Sequence, residues 1–345
     1  MQPNEILDGF GLINYSVTPF GNGLINTTLL VETPAEKFIL QKINKNIFKS
    51  PEDIAFNTRL INNHLLQHHP EYLFTTPLQN KKGSDLVKTN EGFFRLFSFV
   101  KNSHTIDIVQ TPDQAFEAAK QFGRFTKLLV ALNPSQLKIT LPHFHDLSLR
   151  NGQFEEALQN GNRERLDQSK EVIEFIIEQK NILQTFDEIK SNTDFKIRVT
   201  HHDTKISNIL FDENNKGICV IDLDTVMPGY FISDVGDMMR TYLSPAGEEE
   251  KDFSKIEIRE DFYKAIVNGY LSEMKYELGC TEKNYFFYAG KFMIYMQALR
   301  FITDHLNNDI YYGAKYEGHN FVRAGNQVML LKKLLEKKDE LISIH

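Results

Sequence analysis

Over the first hundred residues the apolar positions form short, alternating runs broken by Gly, Pro and Asn. Residues 15–20 and 27–31 read as strands about Gly21-Asn22-Gly23, and a polar turn at 32–37 leads to a third strand at 38–43. Strand, Gly-rich turn, strand, turn, strand predicts an antiparallel meander. Ser50 followed by Pro51 marks a helix start, with Ser as N-cap and Pro in the first turn. Ile54, Leu60, Ile61 and Leu65 then supply that helix with an apolar face. A second hairpin closes the segment, with strands at 85–89 and 93–100 about Asn90-Glu91-Gly92.

Beyond Val100 the apolar spacing becomes helical. Thr111-Pro112-Asp113 caps a helix whose buried face is Phe116, Ala119, Phe122, Phe125, Leu129 and Leu132. Amphipathic helices follow over 154–189. An island of short strands at 195–200, 209–212 and 217–222 precedes further helices at 262–271, 285–306 and from 321 onward. No internal repeat interrupts this order. The pattern predicts an α+β, two-lobed architecture: a small β-rich lobe over 1–100 and a larger, mainly helical lobe over 101–345.

Composition narrows the function classes. A net charge of −7 and no basic run argue against a nucleic-acid footprint. No stretch approaches the roughly 18 apolar residues a spanning helix needs, and the N-terminus lacks the basic start and apolar core of a signal peptide. Two cysteines, Cys219 and Cys280, are too few for a disulfide framework. A reduced, cytoplasmic protein without nucleic-acid or membrane partners is expected.

The densest chemistry lies in His201-His202-Asp203-Thr204-Lys205-Ile206-Ser207-Asn208, with Asp222 fourteen residues after Asn208 in Val220-Ile221-Asp222-Leu223-Asp224. Phosphoryl transfer asks for one carboxylate beside the acceptor hydroxyl, here Asp203. It also asks for oxygen ligands that hold magnesium against nucleotide phosphates, here Asn208 and Asp222. A hairpin between the two strings would bring all three to one mouth. His201 is expected to brace the loop.

The pattern His-x-Asp-x-x-x-x-Asn followed by Ile-Asp resembles the aminoglycoside phosphotransferase and choline kinase-like enzymes, distant relatives of protein kinases. The longer strings 220–229 and Asp234-Val235-Gly236-Asp237-Met238-Met239-Arg240 look more specifically like bacterial N-acetylhexosamine 1-kinases. So do Phe20-Gly21-Asn22-Gly23-Leu24-Ile25-Asn26-Thr27, Ile39-Leu40-Gln41-Lys42-Ile43-Asn44, Ala298 to Asp304, and Asp309-Ile310-Tyr311-Tyr312. The likeness spans nearly the whole chain and implies a protein-kinase-like bilobal fold using ATP and Mg2+.

On the nucleotide side, Gly21 and Gly23 would let backbone amides approach phosphate oxygens. Lys42 is the candidate cation of the third strand, with Gln41 a rival for that station because register is not fixed by sequence. Glu52, which opens the next helix, is a candidate acidic partner for it, with favourable charge at a helix N-terminus as its structural alternative. Phe97 and Phe99, in the run Arg95 to Val100, occupy the place of an adenine-binding hinge. On the acceptor side the resemblance implies Thr225, Arg300 and Tyr311 as sugar contacts beside Asp203. Asp224 could bind metal, contact substrate or cap a turn. An i,i+4 ion pair with Asp304 is the structural alternative for Arg300. The chain has no Trp, and His202 stands where the superfamily often has glycine.

The expected activity is transfer of the ATP γ-phosphate to the anomeric hydroxyl of an N-acetylhexosamine. The rivals are a kinase of choline, ethanolamine, homoserine or an aminoglycoside, and a nucleotide-binding regulatory protein without turnover.

Overall fold

The computed structural model describes residues 3–21 and 25–343. Strands β1 (Ser16–Pro19), β2 (Thr27–Glu32), β3 (Lys37–Ile43), β4 (Val87–Thr89) and β5 (Gly92–Ser98) form one antiparallel sheet in the order β1-β2-β3-β5-β4. This is the expected meander, closed by the second hairpin. Helix α1 (Pro3–Phe10) was not signalled by the strand-dominated reading of this region. Its Ile6 and Leu7 are buried with Val31, Phe38, Leu40, Phe94 and Leu96 of the sheet. The adjacent apolar pair Ile6-Leu7, one turn before Phe10, was the available clue. Helix α2 (Pro51–His68) brings Ile54 against Ile43 and Phe93, whose side chains leave the opposite side of the pleat. Pro51 opens α2 as expected, but the Ser50 side chain makes no capping hydrogen bond.

The rest of the chain is mainly helical: α3 (Pro112–Leu128), α4 (Leu147–Asn160), α5 (Arg163–Gln168), α6 (Lys170–Glu178), α7 (Asn181–Ser191), α8 (Phe231–Tyr242), α9 (Glu260–Met274), α10 (Cys280–Lys283), α11 (Phe286–Leu306), α12 (His319–Glu336) and α13 (Lys338–Ile342). Thr111 and Gln114 complete a reciprocal capping box at the start of α3. Helix α11 is apolar almost all round and runs through the core, where α4, α8 and α12 pack on it. Helices α3 and α9 approach closely because Gly269 has no side chain; a Cβ there would lie 2.4 Å from the Phe116 carbonyl oxygen.

Two small antiparallel pairs sit among these helices. β6 (Arg198–Thr200) pairs with β9 (Met227–Gly229), and β7 (Ile209–Phe211) pairs with β8 (Gly217–Val220). The first of the expected short strands is therefore trimmed to its last three residues. Among the described residues, no helix is long and apolar enough to cross a membrane.

Candidate active site

The loop after β6 is held by helix α8 through its backbone amides. His201 and His202 donate their N–H groups to the two carboxylate oxygens of Asp234, at 3.0 and 2.7 Å. The Thr204 N–H donates to Asp237 Oδ2 at 2.8 Å, and the Tyr242 hydroxyl donates to the Thr204 carbonyl at 2.6 Å. His201 is fully buried: Nε2 is 3.0 Å from the Ile221 carbonyl, and its ring meets Phe122 edge to face. It braces the loop. His202 has φ +67°, a left-handed conformation that favours glycine. Gly229 makes room for its ring, since a Cβ there would lie 2.4 Å from His202 Cε1.

The β7–β8 hairpin does what the spacing required. Ile209 pairs with Val220, and the Ile221 N–H donates to the Asn208 carbonyl at 2.9 Å, which sets Asn208 beside Asp222. Asn208 Nδ2 donates to the Asp203 carbonyl at 2.8 Å and lies 3.2 Å from Asp203 Oδ2. Lys205 Nζ lies 3.2 Å from Asp203 Oδ1. Burial alone would push the Asp203 carboxyl up, but the Lys205 ammonium, together with His201 and Arg240, holds the pKa below the ordinary value. Asp203 is therefore an ionised acceptor at neutral pH.

Asp222 adopts a left-handed backbone at φ +59°, and its carboxylate makes no hydrogen bond or ion pair with a described residue. The protein around its carboxyl, with repulsion from the Asp224 and Asp203 carboxylates, pushes its pKa up to about 7, although the residue still reaches solvent. A carboxylate so placed favours a cation. Among the described residues no group of three or more His, Cys, Asp or Glu could hold a metal ion alone. Magnesium does not need one: it takes one or two protein oxygens and completes its shell with phosphates and water. Asn208 and Asp222 fit that demand.

The nucleotide side differs from expectation. In β3, Lys42 pairs with Phe94 and its Nζ lies 5.9 Å over that ring, on the side of the pleat shared with Leu40 and Leu96. One residue earlier, Gln41 pairs with Arg95 of β5 and accepts from its Nε at 3.0 Å. The register thus turns Lys42 to the face of Phe94 and puts Gln41 and Arg95 together on the opposite face. Arg95 is 3% exposed and donates from Nη1 to Asp224 Oδ1 at 2.5 Å. Asn26 Nδ2 donates to the other Asp224 oxygen at 2.7 Å, and the Thr140 hydroxyl donates to the Asp224 carbonyl at 2.7 Å. Asp224, one of the expected substrate contacts, is thereby fully occupied as a buried counter-ion. Glu52 is exposed in the first turn of α2, with no described ion pair to Lys42 or Arg95. Gly21 has φ +71° with open space around it, and Gly23 lies outside the described residues. Phe20, at that turn, meets Phe99 edge to face at 6.1 Å, and Phe97 lies under the Arg95 guanidinium at 5.2 Å.

On the acceptor side, the Thr225 hydroxyl donates to the His201 carbonyl at 2.7 Å and is buried. It braces the loop and does not open to a pocket as the resemblance implied. Arg300 does not pair with Asp304. Its Nη1 donates to Gln297 Oε1 at 3.2 Å, and its guanidinium lies over Phe144 and Tyr312 at 5.7 and 5.3 Å. Asp304 instead accepts from the N–H groups of Tyr311 and Tyr312 at 2.7 and 2.9 Å, fixing the loop after α11. Tyr311 is 68% exposed and packs edge to face on Tyr312 at 4.8 Å.

Comparison with known proteins bears on this geometry. Residues 16–274, which carry both the sheet and the loop with its hairpin, match the phosphotransferase enzyme family. The chain belongs to that family. Solved structures of similar fold include a microcompartment-associated aminopropanol kinase, with 15% identity, 98% of each chain covered and a TM-score of 0.67. An aminoglycoside phosphotransferase from Alicyclobacillus acidocaldarius has 10% identity, 99% of this chain and 97% of that one covered, and a TM-score of 0.65. A choline kinase from Cryptosporidium parvum has 14% identity, 95% and 90% coverage, and a TM-score of 0.54. Together with the family match they show a protein-kinase-like fold and a small-molecule phosphotransferase.

Two features of this phosphotransferase escaped sequence reasoning. Arg95 could have been found, because it is the one charged side chain in the otherwise apolar run Phe93 to Phe97. The second is a buried group in which Ser233 Oγ lies 2.8 Å from His202 Nδ1 and also bonds His145 Nδ1. Nothing in the local sequence joins His145 to a loop fifty-seven residues later.

Proposed function

We propose that this phosphotransferase moves the γ-phosphate of ATP to the anomeric hydroxyl of an N-acetylhexosamine, giving the sugar 1-phosphate and ADP. The observation that carries the reading is the mouth formed by Asp203, Asn208 and Asp222, with Asp203 held ionised and partly open. The acceptor oxygen attacks the γ-phosphorus as the bond to the ADP oxygen breaks. Asp203 accepts a hydrogen bond from that hydroxyl, aims it, and takes up its proton as the new P–O bond forms. Its lowered pKa suits orientation more than strong basicity. Magnesium, when bound by Asn208 and Asp222, supplies charge neutralisation to the phosphate oxygens.

Arg95, paired with Asp224, ties β5 to the turn after Asp222 on the nucleotide side, and Phe20, Phe97 and Phe99 offer apolar surface for adenine. Arg300, with Tyr311 and Tyr312, offers donors and ring faces suited to a sugar. The division into a nucleotide lobe over 1–100 and a catalytic lobe over 101–345, and a cytoplasmic location, belong to the same proposal. Asp203→Asn tests it: kcat should fall about 10²–10⁴-fold with the KM for ATP nearly unchanged. Near-normal turnover would remove Asp203 from the mechanism.

A further inference from the structure

Among the described residues, Arg150 and Arg300 of the helical part make no ion pair with a carboxylate. Arg150, on α4, donates from Nη1 to Gln153 Oε1 at 3.0 Å and from Nη2 to the His143 carbonyl at 3.1 Å. Arg300, on α11, donates a hydrogen bond to Gln297 and otherwise lies over the Phe144 and Tyr312 rings. The Nε of each is buried without a hydrogen-bond partner. The two are close enough that, after burial, the charge of Arg300 is the main influence lowering the Arg150 pKa.

The acids nearby are already spent. Asp146 caps the Leu149 N–H and meets His143 Nδ1 at 3.0 Å. Asp304 holds the Tyr311 and Tyr312 amides. Glu248 lies between Arg240 and Arg323, at 2.9 and 2.5 Å, and Asp237 also pairs with Arg240. Two like charges, partly withdrawn from water and each with an unmet buried donor, are a costly arrangement unless an anion completes them.

This pair lies one ring from the catalytic loop. Phe144, beneath Arg300, stacks on His145 at 4.3 Å, and His145 shares the Ser233 hydroxyl with His202, the residue before Asp203. We infer that Arg150 and Arg300 form an anion subsite of the acceptor pocket, which takes a carboxylate or phosphate group borne by the acceptor while its hydroxyl is presented to Asp203. The inference rests on the proposed acceptor side and narrows it to acidic or phosphorylated amino sugars. A cationic amino alcohol would meet two uncompensated cations there.

The test compares N-acetylglucosamine, its C6 uronate and its 6-phosphate as acceptors with ATP and magnesium, for wild type and Arg150→Gln. The charged acceptors should have kcat/KM about 10- to 100-fold above the neutral sugar. Arg150→Gln should erase that advantage while changing the neutral sugar less than about threefold. The uronate and 6-phosphate arms separate carboxylate from phosphate. Efficient turnover of the neutral sugar with no charged advantage overturns the subsite and spares the sugar-kinase reading. If no sugar is turned over, calorimetric titration of the ADP-saturated protein with inorganic sulfate still decides. Binding lost in Arg150→Gln, with an unchanged melting temperature, upholds the subsite; equal binding or none in both proteins overturns it.

Discussion

Arg95 and Asp224 are a buried ion pair joining β5 to the short turn after Asp222, and each is further held by an amide side chain, Gln41 or Asn26. Removing one partner leaves a buried charge unmet, which typically costs about 3–5 kcal/mol. Arg95→Ala should therefore lower the melting temperature markedly and raise the KM for ATP. Arg95→Lys keeps the charge but loses the fork that bonds Gln41 and Asp224 together, so it should fold yet turn over at least about tenfold more slowly. Lys42→Ala should leave the KM for ATP within about threefold, because only a ring contact outside the cleft is lost. Steady-state kinetics of the three variants, with melting curves, check this. A large loss in Lys42→Ala with none in Arg95→Lys would restore the lysine to the phosphate site. The sequence left Gln41 and Lys42 open because a strand alternates faces with period two, and only the pairing of Gln41 with Arg95 decides which faces the cleft.

At the scale of elements, the loop after β6 is built from α8: Asp234 and Asp237 accept its amides, and Ser233 joins His202 to His145. Burial holds His202 neutral, with a pKa pushed down to about 4, and burial also holds His145 well below the ordinary histidine range. In the unfolded chain both take a proton below about pH 6.5. Between these values the two histidines bind fewer protons in the native state, so their share of the stability is full above about pH 6.5 and falls as pH drops toward 4, opposite in sign to the raised carboxyls of Asp222 and Asp234. His202 alone accounts for roughly 3 kcal/mol of that loss. The histidine share is read from the difference in melting temperature against pH between wild type and His202→Gly, which suits φ +67° and should lose less stability on acidification from pH 6.5 to 4. An identical slope in the variant would contradict the assignment. The loop string and its hairpin partner were legible because their chemistry is compressed into twenty-two residues, 201–222. Thr225 and Asp224 were misplaced because a hydroxyl or carboxylate beside a catalytic string reads the same whether it faces substrate or bonds inward. Only the tertiary partners, the His201 carbonyl and Arg95, separate the two.

For the whole molecule, the change from alternating to helical spacing near Val100 was enough to read a sheet followed by helices, and family membership confirms the fold class. Helix α1 was lost because two turns with a single apolar cluster resemble any short segment until the sheet is present for Ile6 and Leu7 to cover. The Arg150–Arg300 pair was hidden for a related reason, since its members lie on helices far apart in sequence. Across this molecule Asp203 and Asn208 come from the loop after β6 and Asp222 from the end of the hairpin that follows, while the proposed acceptor side draws on α4, α11 and the loop after it. Phosphoryl transfer to the anomeric oxygen is the chemistry proposed at that junction. Phosphorus NMR of the product formed from ATP, magnesium and N-acetylglucosamine or N-acetylgalactosamine, neutral or with an anionic C6 group, tests it most directly. The expected product is a magnesium-dependent phosphate ester coupled to the anomeric proton, formed in step with ADP. An ester at any other sugar carbon, or transfer only to choline, aminopropanol or an aminoglycoside, would contradict it.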